Sequence, residues 1–352
     1  MIQDIRLQQF RSYGDASFEF SPAVNIIVGP NASGKTNLLE ALLVIAKGSS
    51  YRVRDQELVM HGQEWMRLDA HTSEGVRTLK LTGLPEAAKS FELAGKTYKR
   101  LSLQHMVPTV LFEPNHLLLL HGSPEQRRSY LDDLLVQTTP NYSALLRNYR
   151  RVLAQRNALL KRAKKPTSEE LFPWNLRLGE LGAQISRKRA GAADRLNERL
   201  AGIYHELSKS TITVQLAYQP QFSIETYESR LLEKLESGLA VDVLRGFTGS
   251  GPHREDFQVY FEGLPASETA SRGETRTLLL ALKIIELGLL EEARGSAPLL
   301  LLDDVFSELD GARRHALTEH ISSYQTFITT TDADIVLKDF ASKSTVIPLS
   351  AV

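Results

Sequence analysis

The sequence reads Gly29-Pro30-Asn31-Ala32-Ser33-Gly34-Lys35-Thr36 close to its start, which fits the pattern G-x-x-x-x-G-K-[ST]. Glycines let a backbone curl until successive N–H groups point at one phosphate, and a following helix directs its positive end there. A buried strand at residues 25–28 leads into the loop and an apolar helix from about Lys35 to Lys47 leads out, which is the context that the motif requires. The alternative, an incidental glycine turn, does not explain that context.

The motif assigns chemical roles to individual residues of this loop. Lys35 is expected to reach the β- and γ-phosphates of a nucleotide, and the Thr36 hydroxyl to bind Mg²⁺. The sequence therefore predicts ATP and Mg²⁺ as ligands. The residues expected to contact ATP are Gly29, Pro30, Asn31, Ala32, Ser33, Gly34, Lys35 and Thr36.

A second candidate site is the apolar strand at residues 299–302, which ends in Asp303 and Asp304. Adjacent carboxylates at the edge of a core are costly unless a cation compensates them. Asp303 is well placed to hold Mg²⁺, and Asp304 to polarise an attacking water, as catalytic residues together with Lys35. The alternative is a plain strand end followed by a helix cap.

Composition limits the class of protein. The chain has 352 residues, with 42 Lys and Arg balanced by 42 Asp and Glu, and its length suits two domains or one domain with a large insertion. The absence of cysteine excludes disulfides, Cys-ligated zinc, iron–sulfur clusters and thiol catalysis. No signal-peptide pattern is visible, and no apolar run approaches the roughly 18 residues of a membrane span. We expect a cytoplasmic protein without membrane contact.

The chain falls into three regions with different patterns. Residues 1–113 read as strands and turns around one helix, residues 114–245 as mainly helical, and residues 246–352 as alternating strands and helices. The βαβ alternation predicts a largely parallel sheet covered by helices, formed by the first and last regions. In the middle region, a Pro break at residues 164–168 before a long helix at 174–207 predicts an antiparallel helical pair.

The segment Ser271-Arg272-Gly273-Glu274 precedes a long apolar helix at about residues 274–292. Ser271 and Glu274 fit a capping box, which is the simpler interpretation. A Ser-x-Gly helix start also presents free N–H groups suited to a γ-phosphate. One chain cannot easily bring two such helix starts to one phosphate, whereas a second copy can. We therefore expect Ser271, Gly273 and Glu274 to bind the ATP of a partner subunit.

The order of these motifs resembles that of an ABC-type ATPase. Residues 29–36, 271–274, 299–304 and 307–310 resemble its Walker A, signature, Walker B and D-loop motifs. The N-terminal Leu7-Gln8-Gln9-Phe10-Arg11-Ser12-Tyr13 resembles the SMC/Rad-fifty branch of that class. Ser50-Tyr51-Arg52, the run Gly-Ser-Pro-Glu-Gln-Arg-Arg-Ser-Tyr-Leu-Asp at 122–132 and Gly-Pro-His-Arg-Glu-Asp at 251–256 are similar to the RecF family of bacterial recombination mediators. The resemblance covers essentially the whole chain.

The resemblance implies an α/β fold, namely the P-loop ATPase head of ABC-type proteins. We expect a lobe I with a mixed sheet and helices in residues 1–113 and 290–352. A mainly helical lobe II is then inserted at 114–289, with an antiparallel helical arm at about 125–208 and the signature motif. Arg11 and Ser12 carry over as ATP contacts, the alternative being a surface turn.

The resemblance also implies a function. It predicts an ATP-dependent homodimer that binds DNA near single-strand gaps and junctions and works with RecO and RecR to load RecA in recombinational repair. Three departures from the wider ABC pattern bear on turnover: Glu274 replaces a common glutamine, Asp304 a glutamate, and the threonines of 326–331 a switch histidine. They favour slow hydrolysis. We expect a weak ABC-type ATPase whose hydrolysis DNA stimulates.

A positively charged region lies between residues 147 and 199, which hold 14 Lys and Arg against 5 Asp and Glu. A sequence-independent positive surface of this kind suits the phosphate backbone of DNA. The alternative is a solvated helix face, and no groove-reading motif is apparent. The candidate DNA-binding residues are Arg150, Arg151, Lys161, Arg162, Lys164, Lys165, Arg187, Lys188 and Arg189.

The sequence leaves the roles of several residues undecided. Arg52 or Arg54 could contact phosphate or a partner chain, and the Mg²⁺-sensing loop residue could be Gln104 or lie in the turn at 113–115. For His253 and Arg254 we favour packing.

Two alternative functions are the ATPase subunit of a membrane transporter and a monomeric P-loop kinase. The basic insertion and missing switch histidine disfavour the first, and the second has no use for residues 271–274. A helicase would need motor motifs that are not visible.

Overall fold

The chain divides into two units, and the first is built from both ends of the sequence. The computed structural model describes residues 1–83, 88–306, 309–332, 336–337, 340 and 344–350. The first unit comprises residues 1–117 and 276–352, and the second comprises residues 118–275.

The described residues form strands and helices that alternate along the chain. The strands are β1 (Ile2–Phe10), β2 (Tyr13–Glu19), β3 (Val24–Val28), β4 (Trp65–Thr72), β5 (Gly75–Thr82), β6 (Ala88–Leu93), β7 (Lys96–Tyr98), β8 (Thr109–Phe112), β9 (Val214–Gln219), β10 (Asp256–Phe261), β11 (Leu264–Pro265), β12 (Leu299–Asp303), β13 (Thr326–Thr330) and β14 (Ser344–Pro348). The helices are α1 (Lys35–Lys47), α2 (Pro124–Thr138), α3 (Tyr142–Leu160), α4 (Ser168–Ser208), α5 (Tyr227–Ser237), α6 (Leu239–Arg245), α7 (Ala266–Thr269), α8 (Arg272–Arg294) and α9 (Gly311–Ile321).

A five-stranded sheet in the order β14-β3-β13-β12-β8 forms the centre of the first unit, and every neighbouring pair in it is parallel. Strands β12 and β13 are buried at every position, as expected where both faces of a parallel sheet are covered. The predicted parallel sheet is confirmed. Its carboxyl edge brings together the residues that follow β3, β8, β12 and β13.

A second sheet of the first unit is antiparallel, in the order β2-β1-β4-β5-β6-β7. Helix α1 contacts strands of both sheets and is buried at ten of its positions, including Leu38, Leu42 and Val44. A helix that is apolar nearly all round can be stable only inside a core. The phosphate loop is thus anchored at one end by buried β3 and at the other by a helix enclosed between two sheets.

The second unit is built around the long helix α4. Tyr142 at the start of α3 and Arg189 in the middle of α4 both donate to Asp132. Arg156 late in α3 donates to Asn175 early in α4. The two helices are therefore antiparallel, as predicted. Helix α4 begins earlier than expected, because Thr167 and Glu170 form a capping box. Pro173 lies inside the helix, where it has no N–H to donate to the carbonyl four residues earlier. Strands β9, β10 and β11 form an antiparallel sheet, and β9 packs on α4.

The expected lobe boundary at residues 289 and 290 is wrong, because it falls inside α8. The first unit resumes at Arg276, near the beginning of that helix. From Thr277 to Leu287 every residue of α8 is buried, Lys283 and Glu286 included as an ion pair at 2.9 Å. A helix buried on all sides belongs to the core that surrounds it, whereas its exposed start carries the predicted signature motif. Within the described residues, no helix is long and apolar enough to cross a bilayer.

Candidate nucleotide site and basic arm

The curl of the phosphate loop depends on its two glycines. A Cβ at Gly29 would lie 2.6 Å from the Ser33 Oγ and 2.7 Å from the backbone oxygen of Leu349, which follows strand β14. Gly34 has a φ of +92°, and a Cβ there would lie 2.8 Å from the Tyr13 hydroxyl. Ala32 also has a positive φ, at 65°. The loop thus takes the left-handed conformations that let consecutive N–H groups converge on an anion.

The polar side chains of the loop fit a phosphate ligand. The Lys35 Nζ donates to the backbone oxygens of Gly29 and Pro30 at 2.8 and 2.9 Å, which use two of its three donors. The Ser33 hydroxyl is buried and has no hydrogen-bond partner among the described residues. A buried hydroxyl without a partner is costly, and a phosphate oxygen would satisfy it.

Asp303 is the centre of the hydrogen bonds at the carboxyl edge of the parallel sheet. Its Oδ1 accepts from the Thr36 hydroxyl at 3.0 Å and from the Thr329 hydroxyl at 2.8 Å. The register that pairs Asp303 with Thr329 places the second contact. Thr36 and Asp303, predicted as Mg²⁺ ligands, are therefore adjacent. Mg²⁺ commonly takes one or two protein oxygens and completes its shell with phosphate and water, and this pair suits that mode.

Asp304 differs from its neighbour in backbone conformation. Its φ is 52°, in the left-handed region that aspartate tolerates better than most residues. Its N–H donates to the Thr329 hydroxyl at 2.9 Å, so a single threonine orients both aspartates. Thr329 belongs to the stretch 326–331, which offers threonines in place of a switch histidine, and no signal in the sequence pointed to this bridging role.

Glu113 also lies at the carboxyl edge of the parallel sheet, and it belongs to one of the two segments between which the sequence did not decide. Strand β8 pairs with β12 so that Phe112 lies opposite Leu302, which puts Glu113 beside Asp303. Burial, followed by the Asp303 charge, raises the pKa of Glu113. Burial, followed by the Glu113 and Asp303 charges, raises the pKa of Tyr51. Of the two candidates for the Mg²⁺-sensing position, the turn at 113–115 is the one at this edge. Gln104 lies in a short 3₁₀ turn elsewhere on the first unit.

Arg11 and Ser12 lie beside helix α1. The Arg11 guanidinium donates to buried Glu40 at 2.8 Å and to the Glu57 backbone oxygen at 3.0 Å, while Asn37 donates to the Ser12 hydroxyl at 3.0 Å. These residues line an open cavity of about 550 Å³ whose other wall runs from Gln56 to Gln63. Arg11 and Ser12 lie in the turn between β1 and β2 and border this open cleft, and their contact with ATP stays a prediction.

The segment 271–274 forms the capping box that the sequence suggested. The Ser271 N–H donates to the Glu274 carboxylate at 2.7 Å, and the Glu274 N–H donates to the Ser271 hydroxyl at 3.2 Å. These bonds to Ser271 lower the pKa of Glu274. Ser271 and Arg272 are exposed at the start of α8, available to another molecule. Of the predicted D-loop, Ser307 and Glu308 lie outside the described residues.

Eight of the nine predicted DNA-binding residues are exposed on helices α3 and α4 or the turn between them. They are Arg150, Arg151, Lys161, Arg162, Lys164, Lys165, Arg187 and Lys188. We refer to these eight residues as the basic arm.

Arg189 is a correction to that prediction. It is buried, binds both carboxylate oxygens of Asp132 at 2.9 Å and donates to the Pro252 backbone oxygen at 2.6 Å. A guanidinium with these partners holds α2, α4 and the Pro252 turn together and cannot reach DNA. The charge run alone does not show which face of α4 each cation occupies.

His253 and Arg254 pack as the sequence suggested. Because the Thr248 backbone oxygen can only accept, the His253 Nε2 donates to it at 3.1 Å, and the Nδ1 then accepts from the Tyr149 hydroxyl at 2.7 Å. Burial lowers the pKa of His253 to about 4, so the ring is neutral at physiological pH. Arg254 stacks over the Phe247 ring at 4.9 Å.

Comparison with known proteins identifies the family to which most of the chain is similar. Residues 1–347 match the model of the RecF/RecN/SMC N-terminal domain family. "DNA replication and repair protein RecF" from Heliobacterium modesticaldum is 37% identical over 94% of this chain and 92% of the relative. The protein of the same name from Acaryochloris marina is 38% identical at the same coverage.

Solved structures give the same result. A structure of the recombination mediator protein RecF with ATP in the RecFOR pathway superposes with a TM-score of 0.86 at 30% identity, over 94% of this chain and 92% of that one. An Smc head bound to the C-terminal winged-helix domain of ScpA superposes at 0.54 and 15% identity, over 99% and 93% of the two chains, which shows a shared fold alone. The chain belongs to the RecF family of SMC-like ATPases.

Proposed function

We propose that this protein is an ATP-dependent DNA-binding protein of recombinational repair, which grips DNA as an ATP-bound dimer. The observation that carries the proposal is the joint placement of the Gly29–Thr36 stretch and the Asp303 carboxylate at one sheet edge, with a separate basic arm on the second unit. RecF relatives are named for DNA replication and repair, and solved RecF structures hold ATP.

In the proposed site, residues 29–36 cradle the phosphates, Thr36 and Asp303 hold Mg²⁺, and Arg11 and Ser12 border the remainder of the nucleotide. Bound Mg²⁺ supplies charge neutralisation on the β- and γ-phosphates. Lys35 adds a point charge close to the same oxygens, and Asp304 accepts a proton from water at the γ-phosphate side. Because aspartate is one methylene shorter than glutamate, we expect slow hydrolysis, which DNA stimulates.

The dimer completes the site in this proposal. The exposed capping box of Ser271 and Glu274, with Gly273, presents the start of α8 to the γ-phosphate of a second copy. ATP then joins two subunits, and hydrolysis separates them. Loading of RecA with RecO and RecR follows from the family and is proposed for this chain on that ground.

The basic arm is the proposed DNA surface. Its cations suit backbone phosphates, without base readout, so binding should weaken steeply with salt. A transporter subunit and a monomeric kinase remain the competing functions, and neither has a use for an exposed basic arm.

The deciding experiment measures binding to gapped, duplex and single-stranded oligonucleotides, with and without ATP, while size is followed by light scattering. The proposal predicts ATP-dependent dimers, and DNA affinity that rises with dimerisation. A monomer with bound ATP, or DNA affinity indifferent to ATP and to salt, would contradict it.

A further inference from the structure

A cavity of about 330 Å³ lies in the second unit among helices α2, α3 and α4 and the turn at Pro252–Arg254. At about 30 Å³ per water, it has room for on the order of ten waters, or for an oxyanion with part of its shell. Its polar lining includes Arg128, Ser129, Tyr149, Arg150 and His253.

The lining carries more positive than negative charge. Three guanidinium groups (Arg128, Arg150 and Arg189) face two carboxylates (Glu125 and Asp132). Arg189 and Asp132 neutralise each other in their bidentate ion pair. Among the described residues of the lining, Arg128 and Arg150 are therefore left with the exposed carboxylate of Glu125 as their only anion.

Of the two cations that are withdrawn from solvent, Arg128 and Arg189, Arg128 has fewer partners. Its NH1 donates to the Glu255 backbone oxygen at 2.7 Å, and within the described residues its guanidinium makes no other hydrogen bond and no ion pair. The neighbouring Asp256 is taken by Arg127 at 2.7 Å. Burial, followed by the Arg189 charge, lowers the pKa of Arg128, so its surroundings favour the arrival of an anion. His253, neutral and bonded on both ring nitrogens, adds no charge.

We propose that this cavity binds a phosphate group, held by the half-buried guanidinium of Arg128 and the exposed guanidinium of Arg150. The planar donors of arginine match phosphate oxygens in pairs, which lysine cannot do. Arg150 also belongs to the basic arm, so a DNA backbone phosphate is the source within reach, and in this respect the inference rests on the proposed function. A free phosphate offers the same chemistry, and the test separates the two sources.

The first arm of the test measures duplex DNA affinity of the full chain against salt for the wild type, Arg128→Gln and Arg128→Lys. The control is Arg230→Ala, an exposed arginine of α5 that is outside the cavity. We expect Arg128→Gln to lose about tenfold in affinity and to lower the salt slope by about one, as for one phosphate contact. Arg128→Lys should recover part of the loss, and Arg230→Ala should match the wild type.

The second arm compares sodium phosphate with sodium chloride at equal ionic strength. If free phosphate is the ligand, it raises the Tm of the wild type and not of Arg128→Gln, and DNA affinity is unchanged by the substitution. If Arg128→Gln changes neither the DNA affinity nor the effect of phosphate on the Tm, the proposal is overturned. Should Arg128→Gln fail to fold, Arg150→Gln and the wild-type Tm in phosphate decide instead.

A further variant separates this inference from the proposed DNA surface. If Lys164→Ala with Lys165→Ala weakens DNA binding and Arg128→Gln does not, the DNA source of the cavity's phosphate is excluded while the basic arm stands. If neither weakens it, the basic arm is wrong, and phosphate protection still tests the cavity.

Discussion

Replacing Thr329 by valine should remove the hydrogen bonds that orient Asp303 and Asp304 while keeping the shape of the side chain that packs in the sheet. The Thr329 hydroxyl donates to Asp303 and accepts from the Asp304 N–H, at 2.8 and 2.9 Å. Valine keeps the β-branched shape that suits a buried strand. It removes both hydrogen bonds, so the Asp304 N–H loses its acceptor and Asp303 loses one of its two hydroxyl donors.

The magnitude follows from these two contacts. An unsatisfied buried group costs about 1–3 kcal/mol, and a hydrogen bond to a charged group contributes a similar amount. We expect Thr329→Val to lower the free energy of unfolding by about 2 kcal/mol. Asp303 also loses the donor that fixes its Oδ1 beside Thr36, so we expect about tenfold weaker binding of Mg·ATP, which corresponds to about 1.4 kcal/mol.

The matched control is Thr326→Val, at the opposite end of the same strand. Thr326 is also fully buried, and its hydroxyl donates to the Tyr324 backbone oxygen at 3.1 Å, away from the aspartates. Stability is measured by urea unfolding, and nucleotide affinity by titration of a fluorescent ATP analogue with Mg²⁺ and with EDTA. The reasoning is refuted if Thr329→Val binds Mg·ATP as tightly as the control, or if the loss is equally large in EDTA.

Four further predictions concern ATP binding, the proposed dimer and the buried ion pair of Arg189 with Asp132. Lys35→Ala should reduce ATP affinity by about a hundredfold or more in equilibrium titration, because the loop loses its only ammonium; wild-type affinity would contradict this. Ser271→Arg should keep monomer ATP binding and prevent ATP-dependent dimerisation in light scattering, whereas normal dimers would refute the site shared between subunits. Asp304→Asn should slow ATP hydrolysis and prolong the ATP-bound dimer in gel filtration, and unchanged turnover would remove Asp304 from the mechanism. Arg189→Met should cost about 3–5 kcal/mol of stability in urea unfolding, since it leaves the buried Asp132 charge unpaired; its DNA affinity per folded molecule should equal that of the wild type, unlike that of Lys188→Ala.

Local sequence was enough for the elements whose signal is contained in one segment. The phosphate loop needs its glycines wherever it occurs, and α1 begins at Lys35 and ends at Lys47 as expected. The capping box of Ser271 and Glu274 is likewise a contact across three residues. Strand β14 had no comparable signal, because what makes residues 344–348 a strand is their pairing with β3.

The order of residues was sufficient to identify the functional groups: a phosphate loop, two aspartates at a strand end, and an excess of cations between residues 147 and 199. Which of these groups meet depended on the folded chain. Register between distant strands put Glu113 and Thr329 beside Asp303, and the packing of α4 against α2 turned Arg189 inward while its neighbour Lys188 stayed in solvent. Charge and motif are properties of single residues and short segments, whereas burial and pairing depend on segments that lie far apart along the chain.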